Sequence, residues 1–116
     1  MKSLKQQHNE LVDLQRRLIE SGYRLLKRGG TLVYSTCSLM ERQNEHVVRW
    51  LLDKNKDAFI IPLSFNKDNA DEQNPPSFIE EGSLAGTIRF NPLKPNAKLE
   101  ECIPLTGFFL SKIGKR

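Results

Sequence analysis

Lys27-Arg28-Gly29-Gly30-Thr31-Leu32-Val33-Tyr34-Ser35-Thr36-Cys37-Ser38 is the stretch whose reading decides the fold. Lys27 and Arg28 suit the negative end of a helix dipole, and Gly29-Gly30 permits the positive backbone angles that stop a helix. Thr31 to Tyr34 follow at once. These β-branched, aliphatic and aromatic residues lack clean alternation, as expected of a strand buried on both faces of a parallel sheet. Helix, glycine turn and buried strand in that order predict an α/β architecture.

Upstream of the glycines, Leu11, Leu14, Leu18 and Leu25 recur near the helical repeat, which predicts a helix from about Asn9 to Lys27 with that stripe turned to a core. Downstream, Ser38-Leu39-Met40-Glu41 fits a capping box. It would open a second helix with Val47, Val48, Leu51 and Leu52 on its apolar face, Trp50 at its flank, and an end near Lys54. Ala58 to Leu63 is another apolar run, and Pro62 marks it as an edge strand or a strand end. From Ser64 to Ser83 Asn, Asp, Glu, Lys and Pro75-Pro76 dominate, which predicts a long exposed loop. Thr87 to Phe90 and Gly107 to Ile113 predict the last strands, followed by a basic tail over residues 112–116.

With 116 residues, 38% of them hydrophobic and 28% charged, the chain is sized for one small globular domain over residues 1–116. No run approaches the roughly 18 to 20 apolar residues of a membrane span, and the N-terminus lacks the apolar heart of a secretory signal. A soluble, intracellular protein is expected, in cytoplasm, nucleus or nucleolus. Cys37 and Cys102 are too few for a disulfide scaffold and read as free thiols. Eighteen Lys plus Arg against fourteen Asp plus Glu leave a net charge of +4, a mild bias toward a polyanionic partner. His8 and His46 have no partners at ligand spacing, so no metal is assigned. The adjacent pairs Glu80-Glu81 and Glu100-Glu101 would point to opposite faces of a strand and do not suit paired acid and base work.

Cys37 follows the C-terminal end of the predicted strand and precedes a helix start, where open α/β sheets place ligands and reactive groups. Backbone N–H groups there, with Arg42 if it turned inward, would favour a thiolate, the form that attacks. By residue type alone the favoured reading is instead a small buried hydrophobe at a strand end, which is what a lone cysteine usually is.

The string from Leu26 to Ser38, followed by Glu41, Gln43, Asn44 and Glu45, resembles the Sun-type RNA (cytosine-5) methyltransferases, relatives of the bacterial Fmu rRNA enzyme. Their strand-to-helix segment reads GG-x-LVYSTC-[ST]. The closing Gly107-Phe108-Phe109 resembles the family's last strand, and Arg89 and Pro92 stand in register with its Arg-x-x-Pro-His motif. This resemblance implies the C-terminal part of a class I, Rossmann-like, S-adenosylmethionine-dependent methyltransferase sheet with flanking helices. For Cys37 it implies the nucleophile that adds to carbon 6 of cytosine so that carbon 5 can accept a methyl group. It further implies RNA, tRNA or rRNA, as the partner, with Arg89 and Arg42 as RNA contacts, and S-adenosylmethionine as the cofactor of the full-length enzyme.

The chain also departs from that pattern. Segments resembling D-x-C-A-A-P-G-G-K, which binds S-adenosylmethionine, and D-x-P-C do not occur, and Leu93 and Thr106 replace the family's His and Asp. Hence no cofactor-binding residue is assigned here. A missing N-terminal half or self-association is expected to cover the apolar helix face. The alternative is a non-catalytic RNA-binding or protein-interaction fragment of a diverged methyltransferase, using Arg16, Arg17, Arg89 and the tail.

Overall fold

A computed structural model describes residues 2–63, 79–90 and 107–116. Among them are α1 (Leu4–Leu25), β1 (Thr31–Thr36), a 3-10 turn (Glu41–Gln43), α2 (Glu45–Lys54), β2 (Ala58–Ile61), β3 (Ile79–Glu81), β4 (Ile88–Phe90) and β5 (Phe108–Lys115). Ser3 starts α1 earlier than the leucine stripe suggested, because its side chain accepts from the Gln6 N–H while Gln6 reaches back to the Ser3 N–H. The helix ends at Leu25, two residues before the expected Lys27, with Leu26 extended as its cap. Gly29 takes φ 81° in the turn that leads on to β1.

The sheet is organised around β5, which pairs antiparallel with β1 on one side and with β2 and β4 on the other, β3 lying outside β4. The parallel, doubly buried strand expected at Thr31 to Tyr34 is thus corrected. The neighbour of β1 within the described residues is the antiparallel β5, and β1 alternates between exposed and half-buried side chains because helices cover one face only. Among the described residues β2 pairs with β5 alone, and it stops before Pro62, as the proline implied. The predicted basic tail is instead strand, since β5 runs to Lys115. Lys115 donates to the carbonyls of Tyr23 (3.4 Å) and Leu26 (3.2 Å), holding the open end of α1. Within the predicted 64–83 loop, Ile79–Glu81 is likewise strand, and residues 64–78 lie outside those described.

Val12, Ile19 and Tyr23 of α1, Val47, Val48 and Leu51 of α2, and Phe109 and Ile113 of β5 form one buried core between the helices and the sheet. Tyr34 meets Phe109 edge-on, with ring centroids 6.2 Å apart. The α2 face follows its periodicity, with Leu52 and Trp50 packed at its margin. For α1 the expectation is overturned, because Leu11, Leu14, Leu18 and Leu25 are exposed. The helix carries two apolar faces, and the sheet built by these residues covers only the one bearing Val12, Ile19 and Tyr23. No helix among the described residues is long and apolar enough to cross a membrane.

Candidate active site

Cys37 lies one residue past the end of β1, and its side chain is exposed as a free thiol. The helix start expected at Ser38 is not there. The Ser38 hydroxyl instead accepts from the Met40 N–H (3.0 Å) in a local turn, and α2 begins only at Glu45 after the 3-10 turn. The capping box fails in its second half, because the Ser38 N–H donates to Thr36 Oγ1 and Glu41 accepts instead from the Ser83 hydroxyl at 2.8 Å.

The loop from Cys37 to Met40 is held from three directions. Asn44 donates from Nδ2 to the Ser38 carbonyl at 2.8 Å, while its Oδ1 accepts from the Thr36 hydroxyl. Thr36 Oγ1 also accepts from the Ser38 N–H at 3.2 Å. Arg89 of β4 donates from Nη1 to the Leu39 carbonyl at 2.8 Å. The Leu39 side chain lies over Gly107, where a Cβ would come within 2.0 Å of its Cδ2, so any side chain there would push Leu39 aside.

Arg89 is oriented by Glu45, the first residue of α2. Its Nε donates to Glu45 Oε2 at 2.6 Å, and Nη2 pairs with Oε1. The two side chains are 16% and 3% exposed, so the pair is largely shielded from solvent and counter-ions. Glu45 also accepts from the Ser83 N–H (2.9 Å) and hydroxyl (3.1 Å). Burial pushes the Glu45 carboxyl up, but the hydrogen bonds from Arg89 and the Ser83 N–H outweigh it and hold the group below the usual glutamate range. The same hydrogen bond raises Arg89 further above its ordinary value.

Of the expected RNA contacts, Arg42 is exposed and donates from Nη2 to Asn9 Oδ1 on α1 at 3.2 Å, so it does not turn toward Cys37. Arg89 spends three donors inside the protein. Sequence reasoning left Asn44 and Glu45 without a role. Their adjacency just after a strand end was the available signal, but only the fold shows that one reaches Ser38 and the other Arg89. Cys102, Leu93 and Thr106 lie outside the described residues.

Two of the clefts lined by described residues bear on cofactor binding. One, about 280 Å³, is lined by Leu18, Ile19 and Leu32 to Ser35 along β1. The other, about 450 Å³, is lined by Asp13, Arg16, Arg17, Glu20 and Trp50, and the Trp50 ring already carries Arg16 and Lys54 at 5.4 and 4.9 Å. Neither contains Cys37. The first offers no charged side chain for a cofactor's amino-acid end, and the second has its aromatic surface occupied by cations. Neither of these two clefts therefore fits S-adenosylmethionine.

A sheet with an antiparallel strand inserted beside β1, helices on one face and a thiol at the end of β1 belongs to the Rossmann-like methyltransferase class. NSun6 from Pyrococcus horikoshii, solved with SFG, superposes with a TM-score of 0.67 at 27% identity, covering 99% of this chain and 24% of that one. A methyltransferase homolog from the same organism superposes at 0.62 with 31% identity, covering 99% and 34%. The sequence matches the 16S rRNA methyltransferase RsmB/F family over residues 1–112, and the chain belongs to that family. Ribosomal RNA small subunit methyltransferase F of Klebsiella pneumoniae is 47% identical over 55 residues, 47% of this chain and 12% of that protein. Its namesake in Escherichia fergusonii is 41% identical over 78 residues, 66% of this chain and 15% of that protein. The chain therefore spans about an eighth to a seventh of these curated relatives.

Proposed function

We propose that this chain supplies the nucleophile-bearing part of an RNA (cytosine-5) methyltransferase acting inside the cell on rRNA or tRNA. The observation that carries the reading is the exposed Cys37 thiol at the strand end, in a loop whose next two carbonyls are held by Asn44 and Arg89. The Cys37 thiolate forms a bond to carbon 6 of cytosine, and the electron pair of the 5,6 double bond moves onto the ring, making carbon 5 nucleophilic. Carbon 5 takes the methyl group as the methyl–sulfonium bond of the donor breaks and its electron pair leaves on sulfur as a neutral thioether; loss of the carbon 5 proton then restores the double bond and expels the thiolate. The methyl donor is S-adenosylmethionine, held by polypeptide outside these residues. Support comes from the family membership and from NSun6, whose partner in its crystal, SFG, is an analogue of that donor.

The same reading assigns the exposed Arg42, which the structure ties to Asn9 of α1, to RNA phosphate contact. It also assigns a cover to α1. Leu11, Leu14 and Leu18 are exposed, and β1 pairs among the described strands only with β5, so further polypeptide, an N-terminal part of the enzyme or a second copy, closes that side.

The test mixes the chain, the remaining polypeptide of the enzyme and S-adenosylmethionine with small-subunit rRNA containing 5-fluorocytosine, which cannot lose its carbon 5 fluorine after methylation. An SDS-stable RNA adduct mapped to Cys37 by mass spectrometry, absent in Cys37→Ala, is expected. An adduct that persists in Cys37→Ala overturns the reading. Salt-dependent RNA binding that survives Cys37→Ala with no adduct in either protein would favour a non-catalytic RNA-binding fragment.

A further inference from the structure

We propose that Arg89 is a positioning residue for the reacting thiol, aligning the Cys37 loop through the Leu39 carbonyl, and does not contact RNA; this rests on the reading of Cys37 as nucleophile. Arg89 sits on β4, opposite Phe109 of the central strand, so its backbone is anchored in the sheet. Its guanidinium is planar with donors in a fixed fork. When Nε and Nη2 engage the two oxygens of Glu45, the plane is set and Nη1 falls on the Leu39 carbonyl. Glu45 is itself held by the Ser83 N–H and hydroxyl, so the fork is fixed from sheet, helix and loop at once.

The consequence falls on Cys37. The Ser38 and Leu39 carbonyls follow it directly in the chain, and Asn44 and Arg89 hold one each. Leu39 adds a steric stop against Gly107. A thiol that must reach carbon 6 at bonding distance gains from such a limit, because a misplacement of about 1 Å costs on the order of a hundredfold in rate. Lysine could keep the attraction to Glu45, but as a point charge it cannot serve both oxygens and the Leu39 carbonyl. A phosphate would compete for a cation that is largely buried and already neutralised by Glu45.

The test measures single-turnover methyl transfer and RNA affinity separately, in the assembled enzyme with small-subunit rRNA, for Arg89→Lys and Gly107→Ala. The second variant displaces Leu39 while leaving the ion pair intact. Both are expected to slow transfer about ten- to a hundredfold with unchanged RNA affinity and unchanged salt dependence. In the chain alone, amide exchange at Ser38 and Met40 should quicken in Arg89→Lys. A wild-type transfer rate in Arg89→Lys would show an ion pair serving stability only and overturn the proposal. Weakened RNA binding with a shallower salt dependence at an unchanged rate would make Arg89 a phosphate contact and also overturn it. If Arg89→Lys does not fold, a wild-type rate in Gly107→Ala together with faster amide exchange at Ser38 and Met40, the sign that the loop has loosened, overturns it. Cys37→Ala run alongside separates the two readings: transfer that survives in it removes the nucleophile assignment itself, whereas an inactive Cys37→Ala beside a normal Arg89→Lys removes positioning alone.

Discussion

Arg89 and Leu39 lie fifty positions apart in sequence, yet Arg89 Nη1 donates to the Leu39 carbonyl at 2.8 Å, two residues beyond Cys37. A β-strand near the end of the chain thereby holds the loop that follows β1. The carboxylate that orients Arg89 belongs to a helix start, so stability and loop geometry meet in one ion pair.

Glu45→Gln is expected to cost about 3 kcal/mol at neutral pH, because it leaves the shielded Arg89 without its counter-charge. The carboxyl is held below its ordinary value in the folded state, so its contribution is present above about pH 4.3 and lost as pH falls through the folded-state value. Urea unfolding between pH 7 and 3 should show an acid loss that is shallower in Glu45→Gln. An equal slope in both proteins would count against the pair.

Tyr23 and Tyr34 are the only tyrosines in the chain, and both are pushed up to about 12. Burial is the cause at Tyr34, and burial with the hydrogen bond to Asp57 at Tyr23. Raised values mean that stability is full below about pH 10 and falls as pH rises toward 12. Absorbance at 295 nm should show no tyrosinate near pH 10 in the folded chain, then a rise coincident with unfolding. An ordinary titration midpoint would mean that one ring is solvated.

Along α1, Ile19→Ala is expected to cost about 2–4 kcal/mol, since Ile19 belongs to the buried core. Leu18→Ala, on the neighbouring exposed face, should change stability of the chain by less than about 0.5 kcal/mol. Chemical denaturation of the two variants settles which face is covered, and a reversed order would rotate the helix.

Ser111 is fully buried on β5 between Phe109 and Ile113, and its hydroxyl has no hydrogen-bond partner among the described residues. Ser111→Ala removes an unsatisfied polar group at nearly constant volume, so stability should rise by about 1 kcal/mol. A lowered melting temperature would show instead that the hydroxyl is bonded, through a water held in the core.

Much of the architecture was written in local sequence. Gly29-Gly30 marked the turn between the first helix and the next strand, the run from Thr31 became β1, and the spacing of Val47, Val48 and Leu51 named the buried face of α2. These signals are local because turn geometry and side-chain periodicity depend on neighbours a few residues away. The resemblance around Thr36-Cys37-Ser38 pointed to Cys37 in the same way, from a contiguous string.

What local sequence could not decide was which face of an element meets which partner. The leucine stripe of α1 was expected inside, but the antiparallel arrival of β5 gave the sheet one covered face and placed Val12, Ile19 and Tyr23 there. The basic stretch from Lys112 read as a tail, yet its alternation with Ile113 fits a strand once β1 and β2 flank it. Ser38 could cap a helix by pattern, but its own turn with Met40 formed instead. The sequence by itself determined the elements, the helix stop and the position of Cys37, while only the tertiary structure decided that Arg89 reaches Glu45 and Leu39. That contact spans β4, α2 and a loop, and its energy exists only after non-local strand pairing has brought the three together.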